Sequence, residues 1–572
     1  MRPLWFGPED RPLFGWLHTP EGGSVIGAVL LCPTIGIEAV NARDAYMYLA
    51  ERLAGAGFAC LRFDYDGTGD SAGGQSDPGR VAAWLRSISH AMDLLKSLGA
   101  PRISVVGMRM GATLAAETFG SGTAVVDDLV LWDPCASGRS FLREQGALWA
   151  FALGREAASD GSVETPGVVY EKDTVVDLSP LAIANGDGPL AGRVLVLTRT
   201  GRSGDRRTNE RLDLPHAERM SIDGQRELVD VLPDAASTPE ATISTIVEWL
   251  ASGVMSEDSV AIDPDVVGRT SAVVGAMPDG TPVEERVVAL GPTGLFGIVA
   301  AQRPSEATIG KARPNALPTI LFFNAGVIDH VGPGGLWVRL GRMWAAEGFR
   351  TVRFDLSGNG DSPTHPGQAR RDIFSPPHEQ DVVDVVRAIS PDDPSNVVLV
   401  GLCSGGFNSI APAIEMKVRG VCALNPILTF KLAAPDAGDE ADGASAPAKG
   451  GMKGWVGKLP AYDKINRISK RLPSSAWWII NRIAVETTPA SRLARVVDAG
   501  VNVLVIAGTD EGRWLAGGES RTFRRLEQTG RFRMEIIHGL EHTLFEQHTR
   551  EVAVGILTEH IANTFGAAAP VG

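Results

Sequence analysis

Gly401-Leu402-Cys403-Ser404-Gly405 follows an apolar run and precedes a segment with helical character. A Gly-x-nucleophile-x-Gly turn between strand and helix is strained, and its small flanking residues let the central side chain stand exposed above a sheet. The central residue is Cys403. Taking Ser404 as the nucleophile would put Leu402 where a glycine belongs, so Cys403 is preferred, and the Ser404 backbone N–H becomes a donor to an oxyanion. A lone cysteine is more often a small buried hydrophobe. The order strand, Gly-x-Cys-x-Gly, helix weighs against that reading here.

Such a turn predicts its partners in chain order, an acid after a later strand and a histidine after the last one. Val503 to Gly508 reads as a strand running into Thr509-Asp510-Glu511, and Met534 to Ile537 as a strand leading to His538-Gly539-Leu540-Glu541-His542. Asp510 is the expected acid, with Glu511 in reserve. His542 is preferred to His538, which abuts its strand directly, and to His548, which falls on the following helix. A second oxyanion donor is expected from Asn324-Ala325-Gly326-Val327, through the N–H of Ala325 or Gly326. The chemistry is acyl transfer through a thiol: His542, oriented by the acid, takes the Cys403 proton, and sulfur attacks an ester or thioester carbonyl. A cysteine beside a histidine at a helix N-terminus is expected to have a depressed pKa.

The elements that must hold these groups occur twice. GFACLRFDYDGTGDS at 57–71 is answered by GFRTVRFDLSGNGDS at 348–362, and ISVVGMRMGA at 103–112 by VVLVGLCSGG at 397–406. Offsets of 291 and 294 residues, about half of 572, point to duplication of a whole domain rather than a short solenoid unit. Each copy alternates strands and helices, which implies an α/β class with a mostly parallel sheet covered on both faces. Each opens with an expected hairpin, Leu4 to Leu17 and Glu284 to Ala301. The expected boundaries are a first domain at 1–254, a linker at 255–275 and a second domain at 276–572. A mobile loop is expected at Ala433 to Gly454, within a lid at about 428–492 that carries Trp455, Trp477, Trp478, Ile479 and Ile480. The repeated GxGDS segments lack the lysine of a phosphate-binding loop and are read as structural.

The first copy keeps both glycines of its turn, Gly107 and Gly111, but has Arg109 at the centre, and no histidine follows its last strand. A guanidinium that is always protonated cannot attack a carbonyl. This domain is therefore expected to keep the fold without the chemistry, with Arg109 either binding an anion or pairing with a buried carboxylate.

Composition excludes other classes. The formal charge is −14, from 54 basic and 68 acidic residues, and no basic stripe is present, so nucleic acid is not an expected partner. No apolar run is long enough for a membrane span and the N-terminus does not read as a signal peptide, so a cytoplasmic location is expected. Five dispersed cysteines support neither a disulfide framework nor a zinc site, and no His-Glu-x-x-His pattern occurs. No cofactor or metal is expected, and association into a homo-oligomer is left open.

Both halves resemble the α/β-hydrolase superfamily. The first, with RPLFGWLHTP, LRFDYDGTGDS and GMRMGATLA, looks like the exosortase-system-associated hydrolases of bacteria. The second, with NAGVIDHVGPGG, VRFDLSGNGDS and GLCSGG, is similar to serine-aminopeptidase-like hydrolases. The resemblance implies two tandem α/β-hydrolase domains with lid insertions and places the superfamily triad on Cys403, His542 and Asp510. Cysteine in place of serine also occurs in dienelactone hydrolases and polyhydroxyalkanoate synthases. A cysteine acyl-enzyme is itself a thioester, so the acyl group stays activated. The expected activity is therefore thioesterase-like hydrolysis or acyl transfer from coenzyme A or a carrier protein; carboxylester hydrolysis and a non-catalytic binding scaffold are the alternatives.

Overall fold

A computed structural model describes residues 1–572 apart from 121–125, 154–159, 184–189, 202–216, 255–258, 264–267, 304–316, 429–487, 517–518 and 567–572, with side chains at 151–153 also left out. The chain divides into two compact units. One comprises Met1–Val287 with Gly334–Arg342, the other Val288–Pro333 with Met343–Gly572. The expected loop at 433–454 and the lid tryptophans lie outside the described residues.

The first unit holds an eight-stranded sheet in the order Arg2–Phe6, Leu13–His18, Phe58–Phe63, Gly27–Cys32, Ile103–Met108, Asp128–Trp132, Arg193–Arg199, Ala217–Ile222. The opening strands form an antiparallel hairpin, and from Phe58–Phe63 onward the pairing is parallel. Alternate residues of a strand point to opposite faces, so each face needs its own cover. Leu30, Leu61, Val105 and Leu129 pack into one apolar cluster, while Val29, Leu31, Cys60, Val106 and Val130 pack into another. The longest helices, Ile37–Gly55 and Arg80–Ser97, contribute to different clusters and so cover opposite faces.

In the second unit the order Leu295–Gln302, Arg350–Phe354, Thr319–Phe323, Val397–Leu402, Gly420–Leu424, Asn502–Gly508, Phe532–Ile537 repeats the last seven strands of the first sheet, from Leu13–His18 onward. Residues Ser271–Ala276, at the junction of the expected linker (255–275) and second domain, form a strand antiparallel to Pro282–Leu290. In both sheets the first parallel strand lies beside the strand that leads into the Gly-x-x-x-Gly turn, with the next strand on its other side. The connections therefore diverge there, at the carboxyl ends of the strands, which is where open α/β sheets place their sites.

The repeated GxGDS segment owes its sequence to packing. Asp70 N–H donates to Asp64 Oδ2 at 2.9 Å and Asp361 N–H to Asp355 Oδ2 at 3.0 Å. Ser71 and Ser362 each donate to the carbonyl of that aspartate and accept from the N–H of Phe14 or Phe296, tying the loop to the hairpin. Gly69 and Gly360 both have φ of 52°, and a Cβ on either would lie within 2.1 Å of the aspartate carboxylate. No other residue fits.

Candidate active site

Strand Val397–Leu402 ends at Cys403, whose φ of 58° and ψ of −115° turn the chain sharply into helix Ser404–Asn408. A non-glycine residue in this conformation costs about 1–3 kcal/mol and persists only where its surroundings impose it. They do so here through close backbone approach. A Cβ on Gly401 would lie 2.3 Å from the Gly405 carbonyl carbon, and one on Gly405 2.7 Å from the Asn324 carbonyl oxygen. Cys403 is partly accessible, whereas Cys32, Cys60, Cys135 and Cys422 are buried and burial pushes their thiols up.

His542, in the loop after strand Phe532–Ile537, has Nε2 at 3.1 Å from Cys403 Sγ. Its Nδ1 lies 3.5 Å from Glu511 Oε1. The acid beside the histidine is thus Glu511 and not Asp510. Both sit in the first turn of helix Thr509–Ala516, where adjacent side chains diverge by about 100°. The phase of the helix turns Asp510 outward, where it is 77% exposed and 4.0 Å from Arg513. Burial works against the His542 charge, but the bonds to Cys403 and Glu511 outweigh it and raise its pKa to about 10. His538 stays at the surface near Thr509, and His548 is exposed on helix Gln547–Phe565.

Ser404 is 2% exposed, and its hydroxyl accepts from the Gly326 N–H at 2.9 Å. That bond engages one of the two expected oxyanion donors. Ala325 closes a narrow turn with Ile328. The loop is anchored by buried Asn324, which donates to Asp355 Oδ1 and to the Ile328 carbonyl and accepts from the Leu356 N–H.

One contributor escaped the sequence reading. Asn425, fully buried just after strand Gly420–Leu424, has φ of 39°. Its Nδ2 donates to the carbonyls of Glu541 and His542 at 3.0 and 3.2 Å, and its Oδ1 accepts from Gly508 at 2.8 Å. One amide therefore fixes both the histidine loop and the backbone that opens the Glu511 helix. The only signal in the sequence was an Asn-Pro step after an apolar strand. Asn425→Ala is expected to lower kcat of the Cys403 reaction by about 10–100-fold with little change in KM, since a small misplacement of a base costs rate rather than binding. Steady-state kinetics with a model thioester check this.

In the first unit Arg109 occupies the equivalent turn, with φ of 53°. A Cβ on Gly107 would meet Ala112 Cα at 2.6 Å and one on Gly111 the Pro33 carbonyl oxygen at 2.1 Å, so both glycines are needed here too. Arg109 is completely buried, with Glu38 Oε1 at 3.1 Å, Asp133 Oδ2 at 3.5 Å, and Glu144 as a third carboxylate partner. Of the two expected roles the structure shows carboxylate pairing. Burial opposes the charge, yet the surrounding anionic groups hold Arg109 well above the ordinary arginine range. Arg109→Met would leave these carboxylates without their cation, and a loss of about 3–5 kcal/mol in stability is expected. Thermal or denaturant unfolding measures it.

No described helix is long and apolar enough to cross a membrane, and the described residues contain no cluster of three or more His, Cys, Asp or Glu arranged to hold a metal ion.

The α/β hydrolase family model matches residues 327–554. No curated protein matches the sequence. Similar solved structures include proline iminopeptidase of Mycobacterium smegmatis, 15% identical over 44% of this chain and 98% of that one with a TM-score of 0.31. The Butyrivibrio proteoclasticus protein Est1E with ferulic acid bound is 14% identical over 44% and 98%, TM-score 0.35. A monoacylglycerol lipase of Paleococcus ferrophilus is 21% identical over 42% and 99%, TM-score 0.28. The stretch matched by the α/β hydrolase family model, residues 327–554, holds the sharp turn at Cys403 and the histidine after the last strand.

Proposed function

We propose that the chain is a duplicated α/β-hydrolase in which the second domain forms an acyl-enzyme on Cys403 and the first has lost catalysis. The observation that carries this reading is the 3.1 Å approach of His542 Nε2 to Cys403 Sγ, with Glu511 behind the ring. In the first step Cys403 Sγ, whose proton is already held by His542, forms a bond to the carbonyl carbon of a thioester. The oxyanion sits toward the Ser404 N–H, the first of the helix it opens, and toward the 324–327 loop. The Gly326 N–H can join only by exchanging its bond to the Ser404 hydroxyl. Collapse breaks the carbon–sulfur bond of the substrate, and its thiolate leaves with the proton held by His542. Water or another acceptor, deprotonated by His542, then releases the acyl group and restores Cys403. Glu511 replaces Asp510 as the acid that orients the imidazole.

Thioesters are favoured because the first step exchanges one thioester for another at little cost, which leaves an activated acyl group. Time courses of thiol release from a short-chain acyl-coenzyme A test the reading. Steady turnover in water supports a thioesterase, and a stoichiometric burst that stalls until an alcohol or amine is added supports a transferase. No thiol release from any acyl thioester would contradict both.

A further inference from the structure

Asp355, which holds the GxGDS loop of the second unit, also holds the loop expected to supply oxyanion donors. Its side chain is completely buried. Oδ2 accepts from Asp361 N–H at 3.0 Å, the bond that Asp70 makes to Asp64 in the first unit. Three further bonds come from the segment after strand Thr319–Phe323: Asn324 Nδ2 to Oδ1 at 2.9 Å, His330 N–H to Oδ1 at 2.7 Å, and His330 Nδ1 to Oδ2 at 2.8 Å. These donors fill the lone-pair sites of an ionised carboxylate, which has no proton to give, so His330 carries its proton on Nδ1.

The duplication supplies an internal comparison. A Cβ on Gly111 would collide with the Pro33 carbonyl oxygen and one on Gly405 with that of Asn324, so Pro33 and Asn324 occupy equivalent places. Proline has no N–H to donate. After it the first copy has only Thr34, Ile35 and Gly36 before helix Ile37–Gly55, with no histidine. The bond common to both copies serves the fold. The bonds from Asn324 and His330 accompany Cys403 and have no residues to make them in the copy where Arg109 stands. Their place in the chain gives the reason: Ala325 and Gly326 lie between Asn324 and His330, and pinning both flanks to one buried carboxylate fixes the backbone between them. His330 itself is 2% exposed, its ring set edge-on to Phe296 with centroids 4.8 Å apart, so it acts through Asp355 and not on substrate.

We propose that His330 is a positioning residue for acylation of Cys403: through Asp355 it holds the Ala325–Gly326 backbone where the oxyanion of the attacked carbonyl forms. This rests on the acyl-enzyme reading above and adds to it the residue that sets the oxyanion loop.

Thiol release from a short-chain acyl-coenzyme A, compared with alkylation of Cys403 by iodoacetamide, tests it. Alkylation is a displacement at saturated carbon and forms no oxyanion. His330→Phe keeps a ring and removes the donor; it is expected to lower kcat by about 10–100-fold with KM and the alkylation rate each within about twofold of native. His330→Asn, whose amide can present an N–H near the place of Nδ1, is expected to recover kcat to within about fivefold of native. If His330→Phe does not fold, His330→Ser, too short to reach Oδ2, replaces it in the comparison with His330→Asn. Native kcat without the donor, an equal loss of acylation and alkylation, or a loss that asparagine does not repair would overturn the proposal and leave His330 a packing residue. Absence of thiol release from the native chain would instead overturn the acyl-enzyme reading, and the proposal with it.

Discussion

Cys403→Ala is expected to lower kcat/KM for a model acyl thioester by about 10⁴-fold or more, to the rate left by binding and the oxyanion donors alone. The turn places Sγ against His542 and leaves it accessible, while the other cysteines are buried. None of them can substitute. Cys403→Ser keeps a nucleophile of similar size in the same strained turn and is expected to retain slow acylation, because the hydroxyl gives up its proton less readily than the thiol. Thiol release followed continuously distinguishes the two variants. Alanine turning over as fast as serine would mean that Cys403 takes no part in bond formation.

The second large effect separates two adjacent carboxylates. Glu511→Gln is expected to reduce kcat by about 10²–10⁴-fold, since the acid fixes the imidazole orientation and stabilises the imidazolium. Asp510→Asn is expected to stay within about twofold, because that side chain faces solvent and Arg513. The reverse ranking would restore Asp510 as the acid. The same geometry has a pH signature. His542 is raised from 6.5 to about 10, so the folded chain holds its proton more tightly than the unfolded chain. Its stabilising contribution is therefore complete below about pH 6.5 and is lost as pH rises through about 10. The stability difference between the native protein and His542→Gln, measured by urea unfolding, should shrink across that window. A difference that grows with pH would contradict the assigned environment.

Much of this site was legible in the sequence, for local reasons. The glycines around Cys403 and Arg109 mark turns where a Cβ has no room, and chain order picks out the loop of His542. What escaped depended on longer-range geometry. Asp510 and Glu511 are adjacent in sequence, and only the phase of the Thr509–Ala516 helix against the His542 loop chooses between them. Asn425 reaches residues 83 and 116–117 positions away through its side-chain amide. No local pattern encodes that clamp. Arg109 was recognised as incompatible with nucleophilic attack, but its fate was settled by Glu38, 71 residues earlier, and Asp133, 24 later. The strand at Ser271–Ala276 overlaps the end of the expected linker, 255–275, because nothing within it announces the partner it finds in Pro282–Leu290.

Mass mapping of the intact protein after brief incubation with an acyl thioester tests the central claim most directly, read at peptide level for all five cysteines. The account predicts one acyl group per chain, on Cys403, absent from Cys403→Ala and scarce in His542→Ala. An adduct on another residue, or none under conditions where thiol is released, would contradict a Cys403 acyl-enzyme.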